Sequence, residues 1–187
     1  GETLLDIKEL HVSFYTVRGI VRAVRGINLE IRQGETVALV GESGCGKSVT
    51  AHAITGLLPT PPAQIEHGEI FFDGRDLLTI PPREHRALRG ERISMIFQEP
   101  MTSLNPVFKI GDQIADVFRV HHKLNTKQAW KKAVELLDLV KIPEPERRAN
   151  EYAHQLSGGM RQRVMIAMAL ASPEPGLIIA DEPTTAL

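Results

Sequence analysis

The chain is short of three things, and each shortage excludes something. Cysteine occurs once, at Cys45, in 187 residues. A single thiol allows no disulfide framework, which suits a reducing cytosol. Long apolar runs are absent as well. Nothing approaches the roughly 18–20 consecutive apolar residues that cross a bilayer, and the N-terminal stretch does not read as a signal peptide. If the protein works at a membrane, other chains hold it there. A surplus of either charge is the third absence, since 22 Lys and Arg against 23 Asp and Glu leave a formal net charge of -1. That balance argues against a general electrostatic grip on nucleic acid, though it allows a local patch. Arg83, Arg86, Arg89 and Arg92 read as a solvated face. The length suits one domain with a sizeable core and room for a subdomain.

What is present centres on Gly41-Glu42-Ser43-Gly44-Cys45-Gly46-Lys47-Ser48, which fits the phosphate-loop pattern G-x-x-x-x-G-K-[ST]. The apolar, β-branched run Thr36–Val40 before it reads as a buried parallel strand. The stretch Val49–Leu58 after it reads as a helix, stopped by Pro59, Pro61 and Pro62. Glycines let consecutive N–H groups turn inward on phosphate oxygens, and the helix N-terminus adds its positive dipole end. Lys47 supplies a mobile cation for the β- and γ-phosphates, and the Ser48 hydroxyl suits Mg²⁺. Cys45 contributes its backbone N–H rather than thiol chemistry. The segment reads as a nucleoside triphosphate site.

Around this loop the pattern changes twice. Leu10, Val12 and Phe14 alternate, as do Ile27, Leu29 and Ile31, and Ile70 with Phe72 leads into an Asp73-Gly74 turn. These runs predict a small antiparallel layer beside a parallel core. Phe14 and Tyr15 precede a loop at Gly19, where an aromatic ring could stack on a base or simply pack at a strand edge. A short helix is expected after Pro81-Pro82, then a strand over Ile93–Phe97 that delivers Gln98 at its carboxyl end, where ligands bind in open α/β sheets. From about Asn105 to Ala171 the period is helical. Trp130, Ala133, Leu137 and Val140 form a core stripe, with Thr126 as the expected N-cap and Pro143 and Pro145 as breakers.

Two more strings complete the pattern. In Leu156-Ser157-Gly158-Gly159-Met160-Arg161-Gln162, Ser157 is a natural N-cap and the glycines leave N–H groups unshielded, a second anion site at a helix start. The buried strand Leu177–Ala180 ends in Asp181-Glu182. Asp181 can hold Mg²⁺, and Glu182 can orient or deprotonate an attacking water.

With these strings in order from Gly41 to Glu182, the chain resembles an ABC-type ATPase over essentially its whole length. Phe97–Pro106 and Gly159–Ala169 look like the oligopeptide, dipeptide and nickel branch of ABC importers. The resemblance implies an α/β fold: a P-loop NTPase with a RecA-like parallel sheet core, an N-terminal antiparallel β layer and a helical subdomain carrying the signature motif. It assigns residues 1–35 and 65–75 to the β layer, 36–58, 93–98 and 172–187 to the core, and 100–171 to the subdomain. It also implies a head-to-tail dimer of nucleotide-binding domains around ATP and Mg²⁺. The nucleotide-contacting set would be Tyr15 (Phe14 second), Gly41, Ser43, Gly44, Cys45, Gly46, Lys47, Ser48, Val49, Ser157, Gly158, Gly159 and Gln162. The serine and glycines of the second anion site would reach the partner's nucleotide. Glu182, Gln98 and Lys47 would be catalytic, and Ser48, Gln98 and Asp181 would serve the metal. Met101–Pro106 would receive the coupling helix of integral membrane permease subunits, fed by a solute-binding protein, with the ATPase peripheral on the cytoplasmic face.

Family members continue past Glu182 to a catalytic histidine that is not in these residues, and His154 does not stand in its context. The expectation is therefore a truncated domain with an exposed sheet edge, binding ATP but hydrolysing it poorly. A soluble ABC ATPase acting on DNA or ribosomes is the second reading. It lacks support from charge and from the importer-like run at Gln98. A small-molecule kinase or GTPase is the third, and gives the Ser157 motif no task.

Overall fold

A computed structural model of the protein describes residues 1–41, 46–96 and 104–180. They fall into two compact units, Gly1–Arg89 and Gly90–Leu187.

The first unit is built on β1 (Thr3–Thr16), β2 (Gly19–Arg32), β3 (Ala63–Phe72) and the two-residue β4 (Arg75–Asp76), in the order β2-β1-β3-β4. Every pairing is antiparallel. The alternation of β1 changes phase midway: Leu5 and Ile7 are buried, then Leu10 and Val12. A bulge after Ile7 accounts for the extra residue. Glu9 takes φ +45° there, and the backbone of Glu9 and Leu10 presses on Gly68, where a Cβ would meet the Glu9 carbonyl oxygen at 2.6 Å. Asp73 and Gly74, both at positive φ, join β3 to β4 in the manner of a type I′ hairpin.

Helix α1 (Lys47–Thr55) buries Thr50, Ala51, Ala53, Ile54 and Thr55. It ends earlier than the prolines suggest. Gly56 adopts φ +71°, its N–H donates to the Ala53 carbonyl, and the Leu57 N–H donates to the His52 carbonyl at 2.9 Å. This paired closure is a Schellman cap, and it stops the helix before Pro59 is reached. Helix α2 (Pro82–Glu91) begins at the expected proline pair.

The expected strand over Thr36–Val40 is not formed. The run has no ladder partner among the described residues, and Val40 is 89% exposed. A strand needs a neighbour to pair its backbone and cover its apolar faces, and among the described residues this run has none.

The second unit pairs β5 (Ile93–Ile96) in parallel with β6 (Leu177–Ala180), Ile93 opposite Leu177. Helices α3 (Ile110–His122), α4 (Thr126–Leu139), α5 (Pro145–Ala149) and α6 (Gly158–Leu170), with a 3₁₀ turn at Ala153–Gln155, enclose one core. Ile110, Ile114, Ala133, Leu137, Val164 and Ala167 lie at its centre, with Trp130 packed against it. Gly111 makes room for that ring, since a Cβ there would come within 2.6 Å of the indole. Two expectations are corrected. The N-cap of α4 is Asn125, not Thr126: its side chain accepts from the Gln128 N–H at 2.9 Å, and Gln128 returns the bond in a capping box. Pro145 starts α5 rather than breaking α4, which ends at Leu139 ahead of Lys141 at φ +64°. Among the described residues no helix is long and apolar enough to cross a membrane.

Candidate functional site

The start of α1 has the geometry that an anion-binding turn requires. Gly46, the N-cap, sits at φ +95°, and a Cβ on it would lie 2.5 Å from the Ala23 carbonyl oxygen of β2. Only glycine fits on both counts. The Lys47 ammonium folds back to donate to the Gly41 carbonyl oxygen at 2.5 Å, so the loop ends are joined through the cation that the motif supplies. Thr50, 3% exposed, ties its hydroxyl to the Gly46 carbonyl at 2.8 Å and locks the first turn. Ser48 is exposed and Val49 half-buried. No acidic side chain occupies the first turn to compete for the N–H groups. Residues 42–45 lie outside the described residues, and with them Ser43, Gly44 and Cys45.

The other end of α1 is held by side chains from α2. His85 Nε2 lies 3.0 Å from the Ile54 carbonyl oxygen, and Arg89 Nη1 donates to the Thr55 carbonyl at 2.9 Å. Arg89 is thus not part of a solvated face, whereas Arg83 and Arg86 are exposed. Sequence reasoning missed His85 altogether. The available signal was its spacing of four from Arg89, which puts both on one side of a helix.

Tyr15 stands at the open end of β1, 45% exposed, while Phe14 is half-buried in the sheet. The Tyr15 hydroxyl donates to Glu66 Oε1 at 2.5 Å. The hydrogen bond to that carboxylate holds the phenol above its ordinary pKa, with desolvation of the hydroxyl and the carboxylate's charge adding to it. In return the hydrogen bond from Tyr15, then that from Ser13, holds Glu66 below its ordinary value. A groove of about 350 Å³ beside the ring carries Arg22, Arg25, His11 and His67. Glu66 was not foreseen, because cross-strand partners depend on a register that the bulge shifts.

In the second unit, Ser157 caps α6 by accepting from the Met160 N–H at 3.2 Å, and Gly158 opens the helix. Arg161 Nε secures the approach by donating to the Ala153 carbonyl at 2.8 Å. Gln162 departs from expectation. It is 4% exposed, buried at the start of α6 rather than displayed on the surface. The helix period explains this: Gln162 lies on the same face as Gly159 and is buried with it. Strands β5 and β6 lead to Gln98 and to Asp181-Glu182. All three, with Met101–Ser103 of the expected coupling surface, lie outside the described residues.

A glycine-locked turn before a helix, a lysine aimed back over it and a second glycine-rich helix start define a phosphate-loop nucleotide-binding protein. Residues 24–185 match the ABC transporter family, and the chain belongs to it. It is 56% identical over 184 residues to the oligopeptide transport ATP-binding protein OppD of Bacillus subtilis, covering 98% of the chain and 51% of that protein. It is 52% identical to the dipeptide transport ATP-binding protein DppD of the same organism, covering 100% of the chain and 55% of the relative. The chain thus spans about half the length of these curated relatives. Among solved structures, the ATP-binding cassette MJ0796, a dimer in a post-hydrolysis state bound to ADP and Pi, superposes with a TM-score of 0.79 at 30% identity, covering 98% of the chain and 76% of that structure. The cbiO1 subunit of Clostridium perfringens, part of the complex cbiONQ, gives 0.76 at 28% identity, covering 98% and 67%.

Proposed function

We propose that the protein binds and hydrolyses ATP to drive an ABC importer for peptides or a related solute, of the dipeptide, oligopeptide or nickel type. It works as a head-to-tail dimer with a second nucleotide-binding domain. The observation that carries this reading is the Gly46 cradle, a turn without room for a Cβ at the N-terminus of a helix, with Lys47 reaching across it. The cradle fits a phosphate chain in shape and in charge.

Lys47 binds the β- and γ-phosphates, and the α1 N–H groups fix them. Tyr15 offers its exposed ring to the base, held in orientation by Glu66. Ser48 and Asp181 are the residues that would hold Mg²⁺, with Gln98 beside them. Mg²⁺ supplies charge neutralisation at the transferring phosphoryl group. Glu182 orients the water and takes its proton. Exposed Ser157 and half-buried Gly158 face the partner's γ-phosphate from the start of α6, with the buried Gly159 offering its backbone N–H behind them. On this reading residues 36–58, 93–98 and 172–187 serve the nucleotide-binding core, and residues 100–171 the helical subdomain.

The partners are integral permease subunits, served indirectly by a solute-binding protein, and the ATPase sits peripherally on the cytoplasmic face. The names of its relatives support a peptide cargo, and the near-neutral charge supports the absence of a nucleic-acid partner. Affinity purification from membranes tests the assignment. Recovery of integral membrane subunits with Lys47-dependent ATPase activity is expected. Recovery of ribosomes or DNA instead would favour the soluble alternative.

A further inference from the structure

We infer that His85 and Arg89 are positioning residues for the nucleotide, acting through α1. This rests on the nucleotide reading above. Helix α1 has nine residues, too short to be stable without support at its ends. Its N-terminal end must keep its N–H groups in place for phosphates. Its C-terminal end is where the support is applied: His85 and Arg89 reach the carbonyls of its last two residues, Ile54 and Thr55. A carbonyl can only accept, so Nε2 of His85 carries the proton and donates. The guanidinium stands at the negative end of the helix dipole, opposite the end that takes the anion.

The contact is built into both partners. A Cβ on Gly56 would lie 2.5 Å from Cε1 and 2.7 Å from Nδ1 of His85, so the Schellman glycine that ends α1 also leaves the space for the ring. On its side, α2 has little apolar surface, with Ala87 and Leu88 among Pro82-Arg83-Glu84-His85-Arg86 and Arg89-Gly90-Glu91. Beside the half-buried Leu88, its attachments among the described residues include an ion pair from Glu84 to Arg75 and the two hydrogen bonds to α1. A helix that docks through the carbonyls of another fixes that helix's axial position at its C-terminal end, as the close approach of Gly46 to Ala23 does at the N-terminal end. Displacement of α1 along its axis moves the Gly46 turn and Lys47 with it.

ATPase kinetics of the assembled transporter test the inference with Arg89→Ala, His85→Ala, the donor-retaining Arg89→Lys and His85→Gln, and Lys47→Ala as reference. The alanine variants are expected to raise KM for ATP about fivefold, on the order of a helix-terminus charge effect, with kcat within about twofold. Arg89→Lys and His85→Gln recover most of the loss. A merely destabilising change would reduce the active fraction, lowering apparent kcat at unchanged KM. Unchanged KM in folded alanine variants, or a loss confined to kcat, overturns the inference. If Arg89→Ala does not fold, His85→Ala, which retains the guanidinium, decides by the same criterion. Wild-type turnover insensitive to Lys47→Ala would instead overturn the nucleotide reading, and this inference with it.

Discussion

Gly46 faces Ala23 across so short a gap that a Cβ on the glycine would lie 2.5 Å from the alanine carbonyl oxygen. The close approach couples the phosphate turn to strand β2, and the φ of +95° makes the position doubly intolerant. Gly46→Ala is expected to cost about 1–2 kcal/mol from the left-handed backbone alone, before the clash is relieved. Nucleotide affinity should fall by more than tenfold, because relief moves the turn that cradles the phosphates. Thermal melting and equilibrium nucleotide binding check both parts. An unchanged melting temperature with wild-type affinity would contradict the geometry.

How far the sequence disclosed this arrangement differs from element to element. Of the Gly41–Ser48 pattern, the helix start at Gly46 and Lys47 was legible, because phosphate binding demands particular residue types at fixed spacing. The antiparallel layer was legible from its period of two, although the phase change at Glu9 was not, since a bulge leaves no composition signal. Thr36–Val40 misled: its apolar content promises burial, but burial is granted by neighbours that a single segment cannot specify. The burial of Gln162 was not legible either, since the resemblance named it a nucleotide contact without saying which face of α6 would carry it. His85 and Glu66 act through partners 31 and 51 residues away, which no local pattern reveals.

The Tyr15–Glu66 hydrogen bond carries a pH signature. Glu66 has a folded pKa below its ordinary value, so its contribution is present above about pH 4.3 and is lost as pH falls through the lowered value. Tyr15 has a raised pKa, so its contribution is present below about pH 10 and is lost as pH rises through the raised value. Both groups are exposed and the effect on stability is small. The phenol titration itself is the sharper measurement. With 2 tyrosines in the chain, an ultraviolet difference titration on a Tyr152→Phe background isolates Tyr15. Glu66→Gln should bring its midpoint back towards the ordinary tyrosine value. A midpoint unmoved by that change would mean the hydrogen bond is not formed in solution.

Helix α4 offers a test that separates sequence expectation from structure. Asn125 accepts from the Gln128 N–H at 2.9 Å, and Gln128 Oε1 accepts from the Asn125 N–H at 3.2 Å. Asn125→Ala should therefore destabilise the helical unit by about 1 kcal/mol, the usual worth of an N-cap. Thr126→Ala, one residue inside the helix, should stay within about 0.5 kcal/mol of wild type. Denaturant unfolding resolves the two. Equal losses at both positions would show that the cap is shared rather than placed at Asn125.

Lys47 and Glu182 should fail in different ways, and the difference identifies their roles. The Lys47 ammonium, 2.5 Å from the Gly41 carbonyl, is the mobile cation within reach of the phosphate turn. Its removal takes away a charge that the ground state already uses, so Lys47→Ala should weaken ATP binding about tenfold or more. Glu182→Gln keeps size and hydrogen bonding but cannot accept a proton from water. Binding should persist while turnover falls by about 10²-fold or more, the scale of a lost general base. If the second anion site at Ser157 serves the partner's nucleotide, the unhydrolysed ATP in that variant holds two copies together. Size-exclusion chromatography of the Glu182→Gln protein with ATP and Mg²⁺ should then show a dimer that Lys47→Ala, introduced into the same chain, abolishes. A Glu182→Gln protein that hydrolyses at the wild-type rate would remove the glutamate from the mechanism, and a monomer under those conditions would rule out a shared site between two copies of this chain.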